Sequence, residues 1–332
     1  MICRRIFIRR KTKTFSTMRI VAHPFELGRK HRIALALGTF DGLHCGHQAV
    51  LRTLRQTAAE EDAECAVLFF SPMPREVLNP ASPPRRLLSD AEKLELLSTY
   101  GIDTAVQVPF DRALASLTPD EFLRDYLFSD ALTLSAVCVG EQWRFGRDNS
   151  GDTDTLRRAA TARSVRVITV PPVLECGLPV SSTRIREAVA AGEFGKAQRL
   201  LGRPYLICGQ VATGNGIAHD RLQCPTANLD DPHKQLPPYG VYAACTTIRD
   251  SGDTIPGIVY IGNAPTFRHD GHPIVEVHLF GFTGDLYGRN IAVRPVKFLR
   301  ESRRFDSPEA LKAQISHDIA SAQHALAADT PQ

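Results

Sequence analysis

Short apolar runs alternate with helix-like segments through residues 33–170. The runs have the length of buried strands and lie at 33–37, 65–70, 103–108, 134–139 and 165–170. Between the first two runs, Val50, Leu51 and Leu54 recur at the spacing of one helix face. This alternation predicts an α/β domain whose parallel sheet carries helices on both faces. Ligands of such sheets bind at the carboxyl ends of the strands.

Helix-capping residues and prolines predict where helices and loops lie. Ser89 followed by Glu92 has the pattern of a capping box. Thr118 and Glu121 repeat it, with a proline at the first helical position, where a missing N–H costs nothing. We therefore expect helices to begin directly after Ser89 and Thr118. Five prolines between residues 72 and 84 predict a loop there.

The pattern changes near residue 202. Beyond it, β-rich runs separated by Gly- and Pro-rich turns lie at 205–211, 241–248, 255–261, 274–282 and 291–298. Short strands of this kind predict a small barrel or sandwich. The chain ends in one helix that opens at Ser307 and Pro308. We therefore expect two domains, with a boundary near residues 200–204.

The composition excludes several classes of protein. Of 332 residues, 43% are apolar and 23% are charged, which is ordinary for a globular chain and too apolar for a disordered one. No apolar run approaches the roughly 20 residues of a membrane-spanning helix, so no membrane partner is expected. The eight cysteines are dispersed, and none forms a Cys-x-x-Cys pair. Dispersed thiols in a chain of this length are typical of a cytoplasmic protein.

Positive charge is concentrated at the N-terminus. Of the 40 Lys and Arg residues, six lie in residues 1–17, which contain no acid, so the rest of the chain has 34 basic against 36 acidic residues. A slightly acidic body is unsuited to coating nucleic acid, and no nucleic-acid partner is expected. Residues 1–17 lack the apolar core of a secretory signal. We expect a basic N-terminal extension that is disordered or lies upstream of a start at Met18; a basic arm and a transit-like segment are the alternatives.

The first predicted strand leads into a segment suited to phosphate, residues 38–47, which read GTFDGLHCGH. Gly38 and Gly42 permit a sharp turn, and the free N–H groups at a helix start attract phosphate. His44 and His47 share a helix face, from which two imidazoles can donate hydrogen bonds to phosphoryl oxygens. Either histidine alone would more often be an ordinary surface or core residue. The pair, at the first strand–helix turn, indicates a ligand site.

A second polar cluster opens a later helix. Residues 181–186 read SSTRIR, and their hydroxyl and guanidinium groups suit phosphate. Taken alone, this cluster would more often be a plain N-cap followed by a solvated basic turn.

Together these segments resemble a known family. Residues 38–47 look like the Gly-x-Phe-Asp-Gly-x-His-x-Gly-His signature of the nucleotidyltransferase superfamily, and residues 180–186 resemble the Ile-Ser-Ser-Thr-x-Ile-Arg element of its flavin-specific branch. Residues 200–205, LLGRPY, are similar to the stretch that joins the two halves of the bacterial bifunctional riboflavin kinase/FMN adenylyltransferases. The resemblance runs from about Met18 to Ala322.

The resemblance implies that the first half converts ATP and FMN into FAD and pyrophosphate. It makes His44, His47 and Arg184 catalytic. The residues it implies in nucleotide and flavin binding are Gly38, Phe40, Asp41, Gly42, Gly46, Gln142, Phe145, Ser181, Ser182, Thr183 and Arg186. Two positions depart from the family pattern. Gln142 stands where Asn or Asp is usual, and Met73 replaces the histidine of Phe-x-Pro-His-Pro.

The second half carries a candidate kinase site. Residues 225–228 read PTAN, and Glu276 lies on an alternating strand. From the residues alone, these are a proline turn with ordinary polar strand residues and a solvated glutamate. The resemblance to riboflavin kinases implies instead that Thr226 and Asn228 bind Mg²⁺ with ATP. It also implies that Glu276 is the base that accepts the proton of the riboflavin hydroxyl.

The phosphate loop of this half departs from its relatives. Gly214 and Gly216 are expected to border the phosphates of ATP. Family kinases carry Gly-Arg-Gly here, whereas Gly216 is followed by Ile217 and Ala218. Because alanine restricts the backbone where glycine does not, we expect weakened ATP binding in this half.

The sequence thus predicts an α/β Rossmann-like nucleotidyltransferase domain over residues 18–202 and a small riboflavin kinase-like β-barrel with a C-terminal helix over 203–326. The expected function is FAD synthesis from riboflavin through FMN, in two steps that need ATP and Mg²⁺, by a cytoplasmic monomer or weak homo-oligomer. Two alternatives stay open. One is a monofunctional FMN adenylyltransferase whose degenerate barrel only holds flavin. The other is a flavin-sensing protein without turnover, which intact His44 and His47 argue against.

Overall fold

The computed structural model describes residues 18–212, 227–229, 234–262 and 273–329. The chain folds as two compact units, which are described separately. The first holds residues 18–84 and 88–174, and the second holds residues 85–87 with the described residues from 175 onward. No helix in these described ranges combines the length and the hydropathy needed to cross a membrane.

A parallel sheet forms the centre of the first unit. Its strands are β1 (Arg19–Val21), β2 (Arg32–Leu37), β3 (Glu64–Ser71), β4 (Thr104–Pro109), β5 (Thr133–Gly140) and β6 (Arg166–Val170). They lie in the order β1-β4-β3-β2-β5-β6, and every neighbouring pair is parallel. The predicted α/β architecture is confirmed.

Helices cover both faces of this sheet. They are α1 (Cys45–Glu60), α2 (Pro74–Leu78), α3 (Asp90–Thr99), α4 (Arg112–Ala115), α5 (Pro119–Phe122) and α6 (Thr153–Thr161). Successive side chains of a strand point to opposite faces. Leu35 of β2 therefore packs in one core with Leu156 of α6, whereas Ala36 packs in the other with Leu51 of α1 and Leu97 of α3. Burial on both faces explains why the strands read as continuous apolar runs.

Both predicted capping boxes are confirmed. The Ser89 hydroxyl accepts the Glu92 N–H at 3.2 Å, and the Glu92 carboxylate accepts the Ser89 N–H at 2.7 Å. Thr118 and Glu121 form the same box before α5. The loop predicted over residues 72–84 is partly wrong, because α2 begins inside it at Pro74, a position where proline fits a helix.

A hairpin and two helices precede the barrel. The hairpin consists of β7 (Leu174–Glu175) and β8 (Leu178–Pro179), and the helices are α7 (Ser182–Ala190) and α8 (Phe194–Leu201). α8 ends at Gly202, whose φ of 69° is the left-handed conformation that glycine adopts easily. The expected domain boundary between residues 202 and 203 stays a prediction.

In the part of the second unit that the structure describes, six strands close into a barrel. They are β9 (Ile207–Ala212), β10 (Ala227–Leu229), β11 (Gly240–Ile248), β12 (Thr254–Gly262), β13 (Ile274–Leu279) and β14 (Asn290–Arg300). Their order is β10-β13-β12-β11-β14-β9, so the barrel prediction is confirmed and the sandwich is excluded. The C-terminal helix α9 (Pro308–Asp329) packs on the outside, with Ala322 and Leu326 against Val241 and Ala243 of β11.

Candidate active sites

The histidine-bearing segment, residues 38–47, lies where the sheet of the first unit changes direction. β2 and β5 are neighbours, yet the chain leaves β2 toward β3 and β4 on one side and later adds β5 and β6 on the other. Such a switch point opens a crevice at the carboxyl ends of the two strands. Residues 38–47 follow β2, and residues 141–146 follow β5. Both predicted ligand segments of this unit therefore lie at one edge of the sheet.

The turn after β2 is held in a strained conformation. Phe40 and Leu43 have φ values of 49° and 40°, the left-handed region that costs bulky residues about 1–3 kcal/mol each. Both side chains are buried in the core, which fixes the turn. A Cβ at Gly38 would lie 3.2 Å from the Phe40 ring, so a larger residue there would crowd that ring. Strain of this kind concentrates at functional sites.

The two histidines stack on each other at the start of α1. His44 is the N-cap of the helix, and its Nδ1 accepts the backbone N–H of His47 at 3.3 Å. The ring centroids are 3.7 Å apart with an interplanar angle of 17°. Because Nδ1 of His44 accepts, the neutral ring carries its hydrogen on Nε2. The arrangement orients an imidazole donor at the N-terminus of a helix, where the helix dipole also favours anions.

Aromatic side chains line the neighbouring strand end. Trp143 stacks on Phe145 with centroids 4.5 Å apart, and Phe145 is buried. A Cβ at Gly151 would lie 2.9 Å from the Phe145 ring. Gln142 is exposed beside this pair. Sequence reasoning did not select Trp143 as a site residue, although an aromatic residue between Gln142 and Phe145 was the available signal.

Asp41 connects the histidine-bearing turn to the start of α3. Its carboxylate is buried and accepts the backbone N–H of Leu88 at 3.2 Å. Leu88 lies two residues before α3 begins. The predicted contact of Asp41 with a nucleotide stays a prediction; its hydrogen bond in the structure positions α3.

The hydroxyl- and arginine-rich segment at residues 181–186 lies in the second unit. Ser181 is the N-cap of α7, and its hydroxyl accepts the Arg184 N–H at 3.3 Å. The Arg184 guanidinium donates to the carbonyls of Leu178 at 2.8 Å and Pro179 at 2.7 Å. Arg186 donates to the carbonyl of Arg85 at 2.6 Å. These bonds hold Arg184 against the hairpin, and the phosphate-binding roles of this segment, with Ser182 and Thr183, stay predictions.

The structure brings two predicted kinase residues side by side. Asn228 of β10 lies directly opposite Glu276 of β13, and Tyr260 of β12 lies opposite Glu276 on its other side. Directly opposed residues share a face of a sheet, so the three form one row on the outside of the barrel. Tyr260 extends the row to Ser302, with 3.0 Å between the two hydroxyl oxygens. Sequence reasoning did not select Tyr260 as a candidate, because no motif gave a signal for it.

The remaining predicted kinase residues are Gly214, Gly216 and Thr226. All three lie outside the described residues. Their expected contacts with ATP and Mg²⁺ stay predictions from the sequence.

Comparison with known proteins finds a match for each half of the chain. The FAD synthetase family model matches residues 27–184, and the riboflavin kinase family model matches residues 201–326. A bifunctional riboflavin kinase/FMN adenylyltransferase of Pseudomonas fluorescens is 40% identical over 312 residues, which cover 94% of this chain and 98% of that protein. The chain belongs to the bifunctional riboflavin kinase/FMN adenylyltransferase family.

Other members of the family and one solved structure are also similar to this chain over most of its length. Proteins with the same description are 34% identical in Escherichia coli K12, over 89% of this chain and 93% of that protein, and 34% identical in Haemophilus influenzae Rd, over 87% and 93%. A crystal structure from Streptococcus pneumoniae, described as that of a macrolide-efflux protein, is similar with a TM-score of 0.76 and 29% identity. It covers 91% of this chain and 97% of its own.

Met73 stands where the family motif identified in the sequence has a histidine. Its side chain is buried, and its backbone N–H donates to the Glu76 carboxylate at 2.9 Å at the start of α2. A thioether has no N–H to donate. Any hydrogen bond that a histidine donates from this position in relatives is absent here.

Proposed function

We propose that this chain makes FAD from riboflavin in two ATP-dependent steps, with FMN as the intermediate. The observation that carries the proposal is that the models of both enzyme families match separate segments of one chain. The match over residues 201–326 favours two activities over the monofunctional adenylyltransferase with a degenerate barrel. The presence of His44, His47 and Glu276 favours turnover over flavin sensing.

In the adenylyl step, an oxygen of the FMN phosphate attacks the α-phosphorus of ATP. The bond from that phosphorus to the oxygen bridging the β-phosphate breaks, and pyrophosphate leaves. No base is needed, because the FMN phosphate is already ionised at neutral pH. The rate enhancement therefore comes from positioning of the reactants and stabilisation of the developing charge. The stacked His44 and His47 supply donors to the phosphates where negative charge develops.

Binding of the other groups is divided between two segments. Phe145 and Gln142, with Trp143, are suited to hold the flavin, since stacked rings offer a flat apolar wall beside polar groups. Ser182, Thr183 and Arg186 would hold pyrophosphate through hydroxyl and guanidinium donors. Arg184 would add charge there while keeping its bonds to the hairpin carbonyls.

In the kinase step, the 5′-hydroxyl of riboflavin attacks the γ-phosphorus of ATP, and ADP leaves. An alcohol must lose its proton in this reaction, so a base is required. Glu276 accepts that proton, with Asn228 beside it on the next strand. The altered loop after Gly216 leads us to expect a high KM for ATP and a less affected kcat.

Mg²⁺ fits the donors of the kinase half. Asn228 offers an amide oxygen, and Thr226 offers a hydroxyl two residues earlier. Neutral oxygen donors suit a hard cation that keeps waters and phosphate oxygens as its other ligands. When bound with ATP, the ion neutralises charge on the transferred phosphoryl group.

We further propose that the enzyme works in the cytoplasm as a monomer or weak homo-oligomer on small-molecule substrates. The dispersed cysteines and the balanced charge of the body support this proposal.

The variant Glu276→Gln tests whether riboflavin phosphorylation and FAD formation take place at separate sites. It keeps the size of the side chain and removes the base, so riboflavin phosphorylation should fall about a hundredfold or more. Conversion of supplied FMN into FAD by the same preparation should stay unchanged and serves as the control for folding and concentration. Unchanged phosphorylation would contradict the role of Glu276, and loss of both activities would contradict separate sites.

A further inference from the structure

The start of α3 joins the carboxyl ends of three neighbouring strands. Leu88 donates its N–H to Asp41, which follows β2. Asp90 accepts hydrogen bonds from the hydroxyl of Ser71, the last residue of β3, and from the amide of Gln107 on β4 at 3.3 Å. One short segment, residues 88–90, therefore fixes the ends of β2, β3 and β4 relative to each other. This is the sheet edge that carries His44 and His47.

A buried lysine completes the arrangement. The Lys93 side chain is 1% exposed, its ammonium nitrogen lies 3.5 Å from Oδ1 of Asp90, and it lies 4.4 Å from the centroid of the Phe69 ring. Ser71 and Gln107 contact Oδ2 of the same carboxylate. Both oxygens of Asp90 are thus held by groups on three different elements.

An ion pair with one fully buried partner contributes little net stability to a fold. The desolvation of two charges offsets most of their attraction, and apolar replacements of both partners are often neutral or stabilising. Buried lysine is rare for the same reason. What such a pair does well is to fix a geometry, and the adenylyl step depends on geometry because it needs no base.

We propose that Asp90 is a positioning residue for adenylyl transfer, acting through the carboxyl oxygen that accepts from Ser71 and Gln107, and that the buried Lys93 balances its charge. Asp90 fixes Ser71 and with it the segment that leads through Met73 into α2. Through Leu88 and Asp41, the same helix start fixes the turn that carries the stacked histidines. In this role Asp90 acts through Ser71 and Gln107 rather than through the substrate. The proposal rests on the proposed function of the first unit.

Two double variants separate positioning from stability. Asp90→Asn with Lys93→Met removes both charges and keeps an amide oxygen that can accept from Ser71. Asp90→Leu with Lys93→Met removes the charges and the acceptor. The first should keep the kcat of FAD formation within a few-fold of the parent, and the second should lose up to about a hundredfold in kcat with a much smaller change in the KM for ATP. Riboflavin phosphorylation by the same chains should be unchanged.

A role in stability alone gives a different result. It predicts that the two double variants, compared at equal fractions folded, have the same kcat for FAD formation, and that result would overturn the proposal. If the leucine variant does not fold, Ser71→Ala decides, because it deletes one hydroxyl and leaves the ion pair in place. We expect its kcat to fall about tenfold at an unchanged melting temperature, whereas an unchanged kcat would overturn the proposal.

Two further measurements separate the positioning role of Asp90 from the adenylyltransferase activity itself. If the parent protein forms no FAD from FMN, the proposed function is wrong. If the parent forms FAD and His47→Ala slows it while the Asp90 and Ser71 variants do not, only the positioning role is wrong.

Discussion

His44 and His47 are the residues on which the adenylyl site depends most. His44 caps α1 and accepts the N–H of His47, so the two rings are stacked by the helix start itself. The motif indicated that both histidines share a helix face. It did not indicate that one caps the helix, because histidine is not among the side chains that usually do so. α1 begins at Cys45, five residues before Val50, the first residue of the apolar pattern.

Replacing His47 with alanine should slow FAD formation from FMN about a hundredfold, which corresponds to roughly 3 kcal/mol of transition-state stabilisation. The reason is loss of a donor to the phosphates as charge develops. Riboflavin phosphorylation on the other unit should be unaffected. As a matched control, His31→Ala changes an exposed histidine before β2, at the opposite edge of the sheet, and should alter neither rate. An unchanged rate of FAD formation in the His47 variant would contradict the site.

Cys65 and Cys138 should resist alkylation in the native protein. Burial, aided for Cys65 by the negative charge of Asp103, raises the pKa of each thiol to about 11. The thiolate is the reactive form, so near pH 8 almost none is present, and reactivity should rise only as the pH approaches 11 or the unit unfolds. Exposed Cys176 should react before either of these two. Iodoacetamide labelling followed by peptide mass spectrometry measures this, and equal labelling of the three would contradict the buried environment.

At the scale of elements, α3 does more than cover the sheet. Its capping box is local in sequence and could be predicted from Ser89 and Glu92 alone. The hydrogen bond from Leu88, just before α3, to Asp41 joins residues 47 positions apart. No periodicity or spacing in the sequence predicts such a contact. For the same reason the buried Lys93, which reads in the sequence as an ordinary charged helix residue, could not be recognised before the fold was known.

Ser89→Ala should lower the free energy of unfolding of the first unit by about 1 kcal/mol, because the Glu92 N–H loses its acceptor at the helix start. Ser98→Ala, in the last turn of the same helix, is the control and should be neutral or slightly stabilising, since alanine has the higher helix propensity. Urea unfolding followed by circular dichroism gives both values. Equal effects of the two substitutions would show that the cap contributes nothing.

For the whole molecule, the sequence pattern correctly distinguished an α/β domain from a β-rich domain. It did not show how the strands of the β-rich domain close into a barrel. Five apolar runs indicated most strands of the barrel. Closure depends on β9 pairing with β14, where Ile207 lies opposite Val293, and on the three-residue strand β10. Two strands that pair across some eighty residues leave no local sequence pattern. A strand of three residues is too short to show an alternating pattern. The strand pattern therefore allowed both a barrel and a sandwich, and the resemblance to riboflavin kinases favoured the barrel.

A protein that starts at Met18 should keep both activities and nearly the same melting temperature. The sheet begins at Arg19, which pairs with Thr104, and Met18 already packs against the core. Removal of residues 1–17 leaves these contacts in place. Differential scanning calorimetry and both assays check this. A large fall in melting temperature would show that the basic extension contributes to the folded units.

Whether one chain carries out both steps can be decided by a time course with riboflavin, ATP and Mg²⁺. Products are separated by chromatography and followed by flavin absorbance. We expect riboflavin to decline, FMN to appear first, and FAD then to accumulate as the final product. If riboflavin stays constant at saturating ATP while supplied FMN is converted into FAD, the kinase half is inactive and the claim of two activities is contradicted.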